Sequence, residues 1–577
     1  MDKVEVARIL EEIGILLELK GENPFKIKAY HNAARAVEAI EEDLKGAIDD
    51  GSLLNQKGIG KAIYEKILEL FNTGHLKYYE ELKIEIPYSL LELIKIPGVG
   101  PKKIKALYDA FGITTVGELE YACLENRLVE LRGFGKATQE KILKGIEYYR
   151  KGTGLHLLNI ASAEAEKLYD ALKTDKDIIR ISIAGSIRRR KEVVKDIDLV
   201  ASARPKGEKG VMDFFIGLPS VQSITAKGDT KSSVVLSSGI NADLRIVSDK
   251  EFPFALHHFT GSKEHNEALR GRAKKMGLKM NEYGLFKGER LITCKDETEI
   301  FKALGLSYIP PEMRENDGEI ECAERGDIPE LIELSDIKGI FHVHTTLSDA
   351  SMTLREVVKI VRKLGYQYIG ISDHSKSAYY AGGLTEDKIK EQHEEIDGLN
   401  EEMTDFHILK GIESDILADG SLDYDEKILS TFDFVIASVH SRFNMSEEEM
   451  TNRIIKVMSN PYTTILGHPT GRLLLSREGY KVDIHKVIDE AARHNVVIEL
   501  NSHPYRLDLD WRFCRYAKDR GVKVSINPDA HHIDDLSNVS YGVGIARKGW
   551  LTAGDVINAL PLESIKTLLR KKKEHTF

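Results

Sequence analysis

Apolar and polar positions change their rhythm twice along this chain. Through residue 150 they recur at helical spacing in short runs, AIYEKILELF and KIKALYDAF among them. A glycine turn opens each run: Gly58-Ile59-Gly60-Lys61, Gly98-Val99-Gly100-Pro101-Lys102 and Gly133-Phe134-Gly135-Lys136. From about residue 151 a helical stretch, LNIASAEAEKLYDALK, leads into strand-like runs, IIRISIAGS, DIDLVAS, SSVVLSS and ADLRIVS. This is α+β texture. Residues 251–317 form another small mixed unit ending in Ile309-Pro310-Pro311, and Glu312 to Asp336 is acidic and aperiodic, as a linker or docking segment is. After Gly339 short apolar strands (YIGIS, FVIAS, TTILG, VVIEL, KVSIN) alternate with helical segments, which predicts a β/α barrel.

Composition narrows this picture only slightly. A chain of 577 residues is too long for one core, so several domains are expected. The net charge of −10 means that any nucleic-acid footprint is local, as at Lys102-Lys103-Lys105, Arg188-Arg189-Arg190-Lys191 or Arg570-Lys571-Lys572-Lys573. Four scattered cysteines form no CxxC pair, which excludes a Cys-rich zinc module and argues against a disulfide framework. The opening MDKVEVARIL reads as a helix and not a signal peptide, and no apolar run has membrane-spanning length. The expectation is a cytoplasmic protein without a membrane partner.

The densest chemistry lies in AGSIRRRKEVVKDIDLV, Ala184 to Val200. Side chains two apart on a strand share a face, so Asp196 and Asp198 project together while Ile197 and Leu199 pack the other way. Paired carboxylates repel unless a hard cation such as Mg²⁺ joins them. Gly185, the Ser186 hydroxyl and Arg188 or Arg189 are placed to hold phosphate, which points to nucleotidyl transfer. Asp243, in Asn241-Ala242-Asp243-Leu244-Arg245, offers a third carboxylate for a two-metal site, with Arg245 as its supporting partner. The glycine turns expose backbone N–H groups at helix N-termini, where phosphate oxygens bind. Gly58, Gly60, Lys61, Gly98, Gly100 and Lys102 are the expected DNA contacts, in elements that resemble helix-hairpin-helix motifs.

Together, GSIRRR…DIDLV, NADLRIV and HHFTGSKEHNEALRGRAKKMGLKMNEYGLF resemble the palm and thumb of the family X DNA polymerases, the group containing DNA polymerase beta. The likeness covers roughly residues 1–315. It implies that Asp196, Asp198 and Asp243 bind Mg²⁺ or Mn²⁺ and that Ser186 and Arg189 touch the triphosphate. Phe259 and Gly261 would face the sugar, Asn266 the base edge and Arg270 the template side. The sequence departs from the family at His258, where tyrosine is usual, so the wall against a ribose 2′-OH is altered; Lys263 adds positive charge nearby. Lys66 falls where the family carries its Schiff-base lysine, which implies deoxyribose-phosphate lyase chemistry.

Residues 339–577 hold 13 of the 19 histidines. His342 and His344 repeat the one-face spacing of the DxD pair, and Asp349, Asp373-His374, Glu413, His440, His468 and Asp529-x-His531 recur near the ends of apolar strands. Ligands gathered at the mouth of a β/α barrel follow this pattern, and imidazole with carboxylate suits Zn²⁺, Mn²⁺ or Fe²⁺. The set resembles the PHP (polymerase and histidinol phosphatase) domain. That implies up to three metals on His342, His344, Asp349, His374, Glu413, His440, His468, Asp529 and His531; Glu499, His503 and His532 do not fall on the ligand pattern and read as supporting or structural residues.

The resulting expectation is a multidomain chain. Residues 1–82 form a lyase-like helical domain with helix-hairpin-helix, 83–150 a DNA-gripping helix-hairpin-helix domain, and 151–250 an α+β nucleotidyltransferase palm. Residues 251–315 form a nucleotide-selecting thumb, 316–338 a linker, and 339–577 a distorted β/α barrel of PHP type. The implied partners are gapped or primer-template DNA and deoxynucleoside triphosphates, bound by a monomer. The implied activities are gap filling in base excision repair and phosphodiester cleavage, as a 3′→5′ exonuclease, a 3′-phosphatase or an abasic-site endonuclease. The rivals are a PHP phosphoesterase whose N-terminal half binds DNA without polymerising, and a non-enzymatic DNA-bridging scaffold.

Overall fold

A computed structural model describes residues 3–38, 44–49, 51–56, 58–129, 131–150 and 154–574; the side chains of Lys571, Lys572 and Lys573 lie outside the described set. The chain divides into two compact units, Met1–Arg150 and Lys151–Phe577.

The first unit is helical throughout its described residues, and its three glycine turns share one construction. Gly58, Gly98 and Gly133 have φ of 112°, 85° and 95°, a region that L side chains rarely adopt. The apolar residue between the glycines (Ile59, Val99, Phe134) is buried. Gly60 and Gly100 then stand as extended N-caps of the helices Lys61–Thr73 and Pro101–Phe111.

The second unit begins with a five-stranded sheet. In chain order its strands are β1 (Ile178–Ile183), β2 (Asp196–Ala203), β3 (Val221–Ala226), β4 (Lys231–Leu236) and β5 (Asn241–Val247), and in space β1-β2-β5-β4-β3. Only β2 and β5 run parallel, and their register sets Asp198 directly beside Asp243. Helices Phe252–Thr260 and Lys263–Lys275 and a three-stranded antiparallel ribbon follow. The expected linker at 316–338 is built differently. It contains a helix, Glu319–Arg325, whose Ile320, Cys322 and Ala323 share one apolar core with Phe254, Leu269 and Phe301, joined by Leu331.

Seven parallel strands form the remainder: β6 (Gly339–Val343), β7 (Tyr368–Ile371), β8 (His407–Asp415), β9 (Phe434–Ser438), β10 (Ile465–Leu466), β11 (Val497–Asn501) and β12 (Val524–Asn527). They neighbour one another in sequence order, and a bridge from Val343 to Ala530 draws the last edge towards the first. This is a nearly closed barrel. Every residue of these strands is buried except His407 and Lys410, as expected for a parallel sheet covered by helices. Phe341, Tyr368 and Phe434 pack into one apolar cluster with Ile565 and Leu569 of the last helix, and they occupy space left by Gly339, Gly370 and Gly411. Among the described residues no helix is long and apolar enough to cross a membrane. All four cysteines are buried free thiols.

Two candidate catalytic centres

At the palm, β2 begins with Asp196 exposed and Asp198 half-buried, while Ile197 and Leu199 are fully packed beneath. Asp243 joins from β5, one strand spacing away. Burial, then the nearby charges of Asp196 and Asp243, push the Asp198 carboxyl up to about 6. The Gly185 turn closes over this pair at φ 61°, and a Cβ there would overlap the Asp198 carboxylate. The cation on Asp243 is Lys231, at 2.7 Å. Arg245, expected beside Asp243, instead lays its guanidinium over the Phe259 ring at 4.2 Å. On β4, Ser233 is paired with Asp243, and Lys231, two residues away on the same face, reaches the carboxylate.

The basic run after Ser186 is occupied by carboxylates. Arg188 binds Glu297 and the Thr260 hydroxyl, and Arg189 binds Glu315 at 3.0 Å and the Thr260 carbonyl at 2.7 Å. Ser186 is half-buried at the head of this run. Further on, the Asn266 amide donates to the His258 carbonyl at 2.7 Å and to the Gly261 carbonyl at 3.2 Å, fixing the turn that carries Phe259. The half-buried His258 ring meets Phe259 edge-on at 5.0 Å, and burial lowers its basicity. Lys263 and Arg270 are exposed.

The second centre is enclosed. Glu413 on β8 is surrounded by five imidazoles: His342, His440 and His468 at 3.2, 3.2 and 3.1 Å from one oxygen, His374 and His344 at 2.9 and 3.7 Å from the other. Asp529 lies 3.4 Å from His342 and 3.3 Å from His344, and Asp349 lies 3.5 Å from His374 and 3.4 Å from His531. Three groups have ligand atoms within 4.8 Å of one another: His344, Asp349, His374 and His531; His342, His344 and Asp529; His374, Glu413 and His440. His468 stands outside these groups but touches Glu413. The nine expected ligands are thus brought together.

The route to that cluster differs from simple strand alternation. The β6–β7 register shifts between Ile340 and Val343, and His342 has φ 56°. His468 and Asp529 also have positive φ, 23° and 51°. Non-glycine residues adopt such conformations when the surroundings over-determine them, and here three of the nine converging groups do.

Electrostatics indicate what the cluster is built to hold. Burial and the imidazoles of His531 and His374 push His344 down to about 4, and burial with Arg506 does the same to His468. His342 goes the other way: burial opposes its charge, but Asp529, Glu499 and Glu413 raise it well above its usual value. Glu413 and Asp529 are held well below theirs, burial being outweighed by the histidines. Yet Nε2 of His342 and both ring nitrogens of His344 and His374 are buried without a hydrogen bond. Buried ring nitrogens that make no hydrogen bond and lie against carboxylates fit metal ions.

Comparison with known proteins decides the family. Residues 1–76 match a helix-hairpin-helix domain, 90–147 a SAM-like helix-hairpin-helix tandem, 255–315 the DNA polymerase beta thumb, and 341–503 the PHP domain. Over 575 residues, 99% of this chain and 100% of the relative, the sequence is 41% identical to the DNA polymerase/3′-5′ exonuclease PolX of Bacillus subtilis (strain 168). The chain belongs to family X. It is an enzyme of the branch that joins a beta-type polymerase to a PHP domain. Its PHP half is also 31% identical over 249 residues to a probable phosphatase of Thermoanaerobacter sp. (strain X514), covering 40% of this chain and 94% of that one. A probable phosphatase of Caldanaerobacter subterraneus subsp. tengcongensis is 30% identical over 250 residues, 40% of this chain and 91% of that one.

In this family X chain one residue that aims a histidine, Asp415, was not singled out by sequence spacing, whereas Glu499 falls in the supporting role expected of it. Asp415 accepts from His440 Nδ1 at 2.6 Å, and Glu499 does the same for His342 Nδ1 at 2.6 Å. Each fixes a ring so that Nε2 faces the cluster. Asp373 takes Thr345, Ser348 and Gln392, tying down the loop after β6. Asp415 was findable: it sits two residues beyond Glu413 on the same strand. His532 bonds Ser351, and His503 stacks on Tyr505. In the first unit the Lys66 ammonium is half-buried, 4.9 Å above the Tyr78 ring, which Lys26 and Tyr30 also approach.

Proposed function

We propose that the chain is a two-centre DNA repair enzyme that fills short gaps by nucleotidyl transfer and trims 3′ ends with its PHP domain. The observation that carries this reading is the coexistence of two chemically different clusters in one chain: carboxylates beside a phosphate-type turn, and nine converging imidazoles and carboxylates, most of them buried. Residues 1–150 hold gapped or primer-template DNA through the Gly58–Lys61 and Gly98–Lys102 turns. The palm (151–250) and thumb (251–315) bind the deoxynucleotide, and residues 339–577 are the hydrolase.

Asp196, Asp198 and Asp243 would hold Mg²⁺ or Mn²⁺, and the nine-residue cluster would hold up to three of Zn²⁺, Mn²⁺ or Fe²⁺. Bound ions would supply an activated 3′-oxygen and a neutralised leaving group at the first centre, and a hydroxide and phosphate clamp at the second. The chain's own residues do the rest. Ser186, the Gly185 turn and Arg189 orient the triphosphate, and Phe259 and Gly261 set the sugar's place, with His258 relaxing selection at the 2′ position. Asn266 acts by holding that turn, while Arg270 faces the template and Lys263 adds charge. Asp415 and Glu499 keep two histidines in one tautomer at the hydrolytic centre.

The test incubates the full chain with a gapped primer-template, deoxynucleotides and Mg²⁺ or Mn²⁺. Asp198→Ala is expected to abolish extension and spare degradation, and His344→Ala the reverse. Loss of the same activity in both variants would contradict the division. No extension by the parent protein would favour a phosphoesterase that only grips DNA. Products on recessed, 3′-phosphate and abasic-site DNA separate exonuclease, phosphatase and endonuclease action. The lyase reading predicts borohydride-trapped adducts that Lys66→Ala loses; none in the parent protein removes it.

A further inference from the structure

One helix joins the two centres. Val539–Lys548 begins just beyond Asp529 and His531, and the loop between them is fastened by Asp535, which accepts from the backbone of His531 at 3.1 Å and of His532 at 2.8 Å. It is close-packed on both sides. A Cβ on Gly542 would strike Ser502 and Ile526 of the barrel, and one on Gly544 would lie 3.1 Å from Arg190 of the palm. Tyr541 packs against the apolar cores of both. The helix ends at Lys548, which is fully buried.

Lys548 places its ammonium among groups of the polymerase half. It donates to the Arg189 carbonyl at 3.2 Å and the Glu312 carbonyl at 3.4 Å, and it pairs with Glu315 at 2.5 Å. The same Glu315 oxygen takes Arg189 Nε. Two cations therefore share one buried carboxylate, one from the PHP domain and one from the triphosphate-binding turn. Glu192, four residues on from Arg188, faces Arg472 at 3.7 Å and Arg512 at 3.9 Å of the barrel. The turn from Arg188 to Glu192 is held by thumb residues at its start and by the PHP domain at its end.

We propose that Lys548 is a positioning residue for nucleotide binding: by sharing Glu315 it leaves Arg189 available to the triphosphate, so the PHP domain completes the polymerase's nucleotide site. The proposal rests on the family X assignment of Arg189 and goes beyond it. Without Lys548, the Glu315 carboxylate loses one of its two cations and pulls harder on Arg189, drawing it from the phosphates, because an undercompensated buried charge is costly.

The chain carries its own reporter. Of its two tryptophans, Trp511 lies 4.6 Å from the Lys548 ammonium, and Trp550 is buried in the thumb core beneath Arg515 at 4.3 Å. The full chain is titrated with Mg²⁺–dATP while tryptophan emission is followed, and extension of gapped DNA is measured against deoxynucleotide concentration. Mg²⁺–dATP is expected to shift the emission of the parent protein. Lys548→Met should raise the deoxynucleotide KM roughly ten-fold with kcat within about two-fold, and Lys548→Arg should recover most of that loss. Cleavage of recessed DNA, unchanged in both, reports that the chain is folded. Gly544→Ala presses on Arg190 without burying an unpaired charge, and should raise KM roughly three-fold. An unchanged KM in the folded Lys548→Met or Gly544→Ala variant, or silent tryptophan emission at saturating nucleotide, overturns the coupling. Absence of extension in the parent protein overturns the polymerase reading itself.

Discussion

The two centres handle phosphate by opposite constructions. The palm centre is a register: Asp198 and Asp243 are neighbours because β2 and β5 pair in parallel, and Asp196 stays exposed. The barrel centre is a convergence, with nine largely buried side chains arriving from the region of successive strands. The first leaves carboxylates that repel and wait for a hard cation. The second neutralises itself with imidazoles and leaves unpartnered nitrogens for softer ions.

The largest expected break in that contrast comes from Glu413→Gln. Glu413 faces five histidines, so its loss should lower bound transition metal and cut degradation by on the order of 10³-fold, about 4 kcal/mol of transition-state stabilisation, with extension unchanged. Metal content by elemental analysis and cleavage of recessed DNA check this. Next is Gly185→Ala, whose Cβ meets the Asp198 carboxylate at a left-handed φ. Extension should fall at least ~10²-fold while degradation persists, because a misplacement of about 1 Å costs that much.

The pH response expected at the palm is smaller. The Asp198 carboxyl, raised to about 6, must be ionised to hold a metal, so extension at limiting Mg²⁺ declines as pH falls through 6. The sign for stability is opposite. A carboxyl with a raised folded-state pKa destabilises the metal-free fold above that pKa, and the penalty fades as pH falls towards 4. Asp198→Asn should therefore raise the melting temperature at pH 8 by a few degrees without metal, and the gain should shrink to about a third at pH 4.5. Equal melting temperatures at pH 8 would count against a repelling carboxylate set.

The sequence made the local parts of this architecture legible and hid the long-range ones. Strand and helix rhythm exposed the barrel, and the candidate ligands could be read because each stands near the end of an apolar run. The DxD pair was legible for the same reason. Nothing in spacing told that Lys231, not Arg245, would meet Asp243, because that depends on which strand becomes the neighbour of β5. Glu315 and Lys548 lie 233 residues apart, and no periodicity links them. Residues 316–338 read as a linker because charge dominates them, yet four of their apolar residues, Ile320, Cys322, Ala323 and Leu331, complete the thumb core. His342 belongs to the same class: its strand spacing suggested regular alternation, and a bulge with positive φ delivers it instead.

The contrast between the centres is tested most directly by stripping the full chain of metal and reloading it with one ion at a time. Gapped and recessed DNA are supplied together, and extension and degradation are read on the same gel. Mg²⁺ alone is predicted to restore extension and leave degradation absent until Mn²⁺ or Zn²⁺ is added. Restoration of both activities by Mg²⁺ alone would contradict the account, since the imidazole cluster would then be no more selective than the carboxylates.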